Sequence, residues 1–276
     1  MPLLHRVIQF AASLGFTSSV TTNGYWARSS DALRLLQDLE ASGLRAINIS
    51  TSVFHQEFVQ LKTVVSAANT GLLAGLKVTI NLVSTSTFSR DTILTELGEL
   101  VDRVQVVTMP CLPAGRGATG VHNDEFVSEF EMPHGNCREH FKKMAVDISG
   151  NVYPCCSPGG FTAPLMMGNV RNASLRSIVD ASADSKLLVI LESVGPSFFL
   201  PFLRAASVDT ALSERFSDQC HLCHEMLSSS RCQETIRAAS EQLFSELVAV
   251  PSAETPVDGD RLEKLIGRMR ASAAHA

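Results

Sequence analysis

Residues 44–83 read LRAINISTSVFHQEFVQLKTVVSAANTGLLAGLKVTINLV, and this stretch decides the fold. Leu44–Ser50 reads as a strand. Gln56–Leu73 reads as a helix that ends near Gly75. Lys77–Val83 is rich in β-branched residues and reads as a second strand. Strand, helix and strand joined by short links make a unit whose strands run parallel through a right-handed crossover. Upstream, Leu3–Leu14 carries an apolar helical face and Gly15 stops it. Phe16–Thr21 is a short strand entering the turn Asn23-Gly24, and Asp31 can cap a helix running through Ser42. Downstream, Thr92–Val101 reads as a helix and Val104–Met109 as a strand. The first ~110 residues thus repeat one βα pattern and predict an α/β architecture.

The alternation stops at Pro110-Cys111-Leu112-Pro113-Ala114-Gly115-Arg116-Gly117, and the chain is then loop-rich and acidic to about Glu131. A hairpin follows, Lys143–Ile148 with Val152–Cys155, turned at Gly150-Asn151. Leu175–Ala183 and Leu187–Leu191 read as helices, and Cys223–Val248 as one further helix. From Pro251 to Gly259 the chain turns polar, and a basic helix is expected over Asp260–Ala271.

Composition excludes some classes. Of 276 residues, 45% are hydrophobic and 18% charged, which suits a buried core and not a disordered chain. The net charge is −5 and no Lys/Arg block forms a phosphate track, so no nucleic-acid partner is expected. The most apolar neighbourhood, Leu187–Leu203, is interrupted by Glu192, Gly195, Pro196 and Pro201, so no membrane span is expected. The N-terminus lacks a signal-peptide pattern, and a cytoplasmic protein is expected.

The seven cysteines all lie at or after Cys111. An odd number without an export signal suits metal ligation or free thiols better than disulfides. Cys137 is followed by twelve residues, Gly150, four residues and Cys155, and Cys220 and Cys223 form a CxxC. A hairpin turned at Gly150 can bring Cys137 and Cys155 toward one point, where Cys220 and Cys223 could complete a four-thiolate set. Such a set binds zinc or an iron–sulfur cube, and spacing alone does not separate them. Ordinary buried thiols are the plainer reading. Cys156 could replace Cys155, and His221 and His224 flank the CxxC as alternative zinc ligands.

The pattern Cys137-x12-Gly150-x4-Cys155 followed by Cys220-x2-Cys223 resembles the SPASM or twitch extension of radical SAM enzymes. Asn151-Val152-Tyr153-Pro154-Cys155 and Met167-Gly168-Asn169-Val170 are similar to further parts of that extension. The full SPASM pattern continues CxxC-x5-C-x3-C, whereas here Ser229 stands six after Cys223 and the only later thiol is Cys232. The resemblance therefore implies one auxiliary 4Fe–4S cluster on Cys137, Cys155, Cys220 and Cys223. Thr21-Thr22-Asn23-Gly24-Tyr25 looks like the family's "TNG" turn after the third barrel strand. Residues 49–58, ISTSVFHQEF, resemble its fourth-strand segment, with Ser52 where the pattern has Asp. Val78–Asn81 resembles the fifth strand, and Pro113-Ala114-Gly115-Arg116 the loop after the sixth. The resemblance places Thr22, Asn23, Gly24, Ser50, Ser52 and Asn81 near S-adenosylmethionine. It implies an incomplete (β/α)6 partial TIM barrel over residues 1–118. A small α+β SPASM/twitch-like domain over 119–248 and a polar linker with a helix over 249–276 would follow.

The family's catalytic cluster sits on a CxxxCxxC loop, and no cysteine precedes Cys111. The "GGE" motif is missing too. The sequence is expected to lack the first ~80 residues of a complete barrel, and alone it is expected not to cleave S-adenosylmethionine. In a complete family member, that cofactor on the catalytic cluster yields a 5′-deoxyadenosyl radical that abstracts hydrogen from substrate. Three readings stand. One is a radical SAM-type enzyme acting on a peptide or small metabolite, served by a flavodoxin- or ferredoxin-like electron donor and present as an incomplete chain. The others are a non-catalytic partner protein that retains one cluster, and a zinc-stabilised α/β domain.

Overall fold

The structure, a computed structural model, describes residues 2–137 and 139–249. The polar stretch Pro251–Gly259 and the helix expected over Asp260–Ala271 lie outside the described residues. The chain divides into two compact units, one of Met1–Cys111 with Gly120–Val127, the other of Leu112–Thr119 with the residues from Ser128 onward.

In the first unit, strands β1 (Ser18–Thr22), β2 (Leu44–Thr51), β3 (Lys77–Ser84) and β4 (Gln105–Pro110) form a parallel sheet in chain order. The register follows burial. Ile47 pairs with Val78 and Ile49 with Ile80, and alternate residues Val78, Ile80 and Leu82 are buried. The helices Pro2–Ser13, Ala32–Ala41, Leu61–Leu73 and Arg90–Leu97 connect or flank these strands. Leu61–Leu73 buries Leu61, Val64, Ala67 and Ala68 against a core that includes Ile47, Ile49, Val78 and Ile80. A Cβ on Gly71 would stand 2.6 Å from Ile47 Cδ1 and 2.9 Å from Val78 Cγ2, so glycine is what lets this helix lie so close to the sheet.

Two boundaries differ from the sequence reading. The helix expected over Gln56–Leu73 is two helices, Val53–Gln56 and Leu61–Leu73. Ser52 starts the first early, its Oγ accepting from the His55 amide at 3.2 Å. Gln60 is extended (φ −60°, ψ 151°) before the second begins. The helix expected over Thr92–Val101 runs Arg90–Leu97, because Gly98 turns to φ +53° and a 3₁₀ segment, Gly98–Asp102, follows.

The second unit holds a small antiparallel sheet, β5 (Ala145–Val146), β6 (Asn151–Tyr153) and β7 (Gly168–Asn169), in that order. The β5–β6 turn is closed by the Asp147 carboxylate, which accepts from the amides of Ser149 (2.8 Å) and Asn151 (2.9 Å). Gly150 sits at φ +87°, where glycine carries no Cβ penalty. The hairpin strands are shorter than expected, and β7 is an addition to them. Helices Leu175–Ser182, Lys186–Ser193, Leu200–Ala205, Gln219–Ser228 and Ser230–Ala249 complete the unit. The single helix expected over Cys223–Val248 is therefore two. Ser229 breaks it (φ −81°, ψ 114°) and the CxxC lies in the opening turns of the first. The apolar run around 187–203 is core, with Phe198, Phe199, Leu200 and Leu203 almost fully buried. Among the described residues, no single helix is long and apolar enough to cross a membrane. The whole is a mixed α/β protein with a parallel sheet.

Candidate metal centre

Three separate segments deliver cysteines to one cavity of about 310 Å³ in the second unit, lined by Cys137, Cys155, Cys220 and Cys223. Cys137 lies in a loop pinned by its amide to Leu191 O at 2.8 Å. Cys155 follows β6, next to Tyr153 and Pro154. Cys220 and Cys223 stand one turn apart on Gln219–Ser228, whose N-cap Asp218 accepts from the His221 amide at 2.8 Å. Burial pushes the Cys220 thiol up to about 11 and the Cys223 thiol well above its ordinary value. The other thiols add to both shifts, because ionising one penalises the next. A bound cationic cluster reverses that penalty and draws off the protons.

The lining fits a thiolate-bound group. A Cβ on Gly160 would overlap Cys155 Sγ, so the wall there needs glycine. Among the described residues, no three Cys, His, Asp or Glu side chains are grouped to hold a single metal ion. A zinc tetrathiolate needs sulfurs about 3.8 Å apart, given Zn–S bonds near 2.3 Å. Four thiols lining one cavity could hold either a zinc ion or a polynuclear iron–sulfur cluster. Cys156 is exposed and does not line the cavity. Cys111 and Cys232 are buried elsewhere, Cys232 within the helical core. None of the seven is disulfide-bonded.

The two histidines at the CxxC, His221 within it and His224 directly after it, are both engaged by protein partners. His221 Nδ1 accepts from the Ser217 amide at 3.0 Å, which puts the proton on Nε2, 2.9 Å from Glu225 Oε1. Glu225 also accepts from the amide and hydroxyl of Ser213, both at 2.7 Å. Burial alone would raise the Glu225 pKa, but the His221 and Ser213 hydrogen bonds outweigh it and hold the carboxyl below its ordinary value. This network ties the CxxC helix to the preceding loop. His224 contacts Ser228 Oγ through Nδ1 at 3.4 Å.

Sequence reasoning missed His140, which lines the same cavity with its side chain 4% exposed. Neither ring nitrogen makes a well-formed hydrogen bond, and Glu192 Oε2 lies 3.4 Å from Nδ1. Burial lowers the His140 pKa, and Glu192 opposes that shift. Leaving such a group unpaired costs about 1–3 kcal/mol. Only its position three after Cys137 could have hinted at it, since Glu192 lies far along the chain.

In the first unit, the strand-end residues gather at the C-terminal edge of the parallel sheet, where α/β sheets commonly bind ligands. Thr22 ends β1 and its Oγ1 accepts from the Gly24 amide and from Trp26 Nε1, each at 3.1 Å. Asn23 Oδ1 accepts from the Tyr25 amide at 3.1 Å, and Tyr25 is exposed. Ser50 and Asn81 are paired across β2 and β3. Ser52 is buried, its Oγ 2.7 Å from His55 Nδ1, so its hydroxyl is already engaged.

The family model for SPASM, an iron–sulfur cluster-binding domain, matches residues 137–224, a span that begins at Cys137 and takes in the CxxC. The chain is also similar to the putative peptide biosynthesis protein YydG of Bacillus subtilis (strain 168). They are 22% identical over 219 residues, covering 77% of this chain and 68% of the relative. The four-thiol cavity coincides with the matched domain, and the likeness to YydG extends well beyond it, which together support a radical SAM-type protein with a SPASM iron–sulfur domain.

Proposed function

We propose that this protein holds one 4Fe–4S cluster on Cys137, Cys155, Cys220 and Cys223 and serves the radical modification of a peptide. The observation that carries the reading is the meeting of these four thiols, from three segments, in one cavity within the matched domain. The peptide substrate is supported by the likeness to a relative named for peptide biosynthesis. We read residues 1–118 as part of a (β/α) barrel, supported by four parallel strands in chain order, and residues 119–248 as the cluster domain. Thr22, Asn23, Gly24, Ser50 and Asn81 are proposed to face S-adenosylmethionine, with Ser52 buried behind them as the cap that holds His55, and a flavodoxin- or ferredoxin-type donor to supply electrons.

The chain's own residues do definable work. Cys137, Cys155, Cys220 and Cys223 lose their protons to bind the cluster, which supplies one-electron chemistry when bound. Leu165, Leu191 and Pro196 line the cavity with apolar surface and limit water there. At the sheet edge, the Ser50 hydroxyl and the Asn81 amide offer donors and acceptors for a polar ligand. No CxxxCxxC motif occurs in this sequence.

Serine substitution of each cysteine, with anaerobic cluster assembly, tests the ligand set. Loss of the absorption near about 400 nm, the broad thiolate-to-iron band of such clusters, is expected for Cys137, Cys155, Cys220 and Cys223. Cys111→Ser, Cys156→Ser and Cys232→Ser are expected to keep it. Retention in any of the first four removes that residue from the set.

A further inference from the structure

Buried polar groups in folded proteins are ordinarily paired, and His140 is a departure from that rule. Its ring is buried, packs on Phe141 with centroids 4.1 Å apart, and lines the cavity of the four cysteines. Nδ1 stands 3.4 Å from the Glu192 carboxylate without a well-formed hydrogen bond, and Nε2 has no partner within the protein. A neutral imidazole carries one N–H, and a proton on Nε2 therefore has no acceptor within the protein. An iron–sulfur cluster in that cavity would present sulfur acceptors with negative charge, the partner that Nε2 lacks.

We propose that His140 donates a ring N–H hydrogen bond to a sulfur of the cluster and thereby raises its reduction potential. This rests on the iron–sulfur reading above. Reduction adds one electron to the cluster and increases the negative charge on its sulfurs. A fixed donor therefore stabilises the reduced form more than the oxidised form, and hydrogen bonds to sulfur are among the terms that set these potentials. His140 is a positioning and tuning residue here, with no bond made or broken at its ring.

The test is a redox titration of the anaerobically assembled holoprotein followed by electron paramagnetic resonance, comparing wild type, His140→Phe and His140→Gln. His140→Phe is expected to lower the reduced-to-oxidised ratio at a fixed potential about tenfold, equivalent to about 59 mV for a one-electron couple. His140→Gln, which keeps an N–H donor, is expected to recover most of the difference. Equal midpoints in all three proteins at equal cluster content overturn the proposal. Should His140→Phe assemble no cluster, pulsed resonance on wild type grown with ¹⁵N-histidine decides. A weak nitrogen coupling that disappears in His140→Gln supports the donor role. No coupling in wild type, or one as large as that of a directly bound nitrogen, overturns it. A wild-type protein that binds no cluster overturns the proposed function itself, and this inference with it.

Discussion

Replacing His221 by alanine tests how the CxxC helix is held. The ring is 3% exposed and makes two hydrogen bonds within the protein. Its loss leaves the buried Ser217 amide without an acceptor, which costs about 1–3 kcal/mol, and removes a charge-assisted bond to Glu225, about 1.5–3 kcal/mol. Edge-to-face contact with Phe216, centroids 5.4 Å apart, goes too. The lower ends of these ranges already give about 2.5 kcal/mol. With a urea slope of about 2 kcal/mol/M, the second unit's midpoint is expected to fall by about 1.2 M in the cluster-free protein. Circular dichroism reports the helices of both units, so the second unit's transition is the part of it that Trp26 fluorescence does not share. The single tryptophan, Trp26, lies in the first unit, so its fluorescence serves as an internal control and is expected not to move. A dichroism midpoint within about 0.3 M of wild type, a shift worth little more than half a kcal/mol on that slope, would refute the network's role.

Gly160→Ala is expected to push Cys155 Sγ out of place, since the new Cβ would overlap it. Overpacking of this kind costs about 1–3 kcal/mol, and iron content per chain after assembly is expected to drop several-fold, as read by metal analysis. The depressed Glu225 carboxyl makes the second unit's stability pH-dependent. Its contribution is full above the ordinary value of 4.5 and is lost as pH falls through the lower folded value, so the unit weakens progressively below pH 4.5. Urea titrations across that range should show a shallower dependence in Glu225→Gln than in wild type. In the first unit, Thr22→Val removes the acceptor for both the Gly24 amide and Trp26 Nε1. A loss of about 1–2 kcal/mol is expected, with a red shift of Trp26 emission, and unchanged emission would count against the turn described.

The parallel sheet was legible because its strands advertise themselves locally. Leu44–Ser50 and Lys77–Val83 are short runs with alternating apolar residues, each entered just after a glycine (Gly43 and Gly75), and the structure keeps both nearly unchanged. Helix interruptions were not legible. Ser52 is an N-cap only because its hydroxyl finds the His55 amide, and Ser229 breaks a run that is helix-compatible on both sides. Strand β7 has two residues and exists because β6 offers it an edge, a tertiary cause with no local pattern. The cysteine spacing marked the candidate ligands, since a hairpin turn and a CxxC are local features. The spacing from Gly150 favours Cys155 over Cys156, and in the structure Cys155 lines the cavity while Cys156 is exposed. His140 was invisible, as its environment comes from Glu192 and from the distant CxxC helix.

The proposed function requires Cys137, Cys155, Cys220 and Cys223 to hold one iron–sulfur cluster together. Mössbauer spectroscopy of anaerobically purified, ⁵⁷Fe-grown protein, with iron, sulfide and zinc measured on the same sample, tests it most directly. About four irons and four sulfides per chain with a cube-type spectrum are predicted. One zinc per chain with no iron, or iron that survives simultaneous serine substitution of Cys137, Cys155, Cys220 and Cys223, would contradict it.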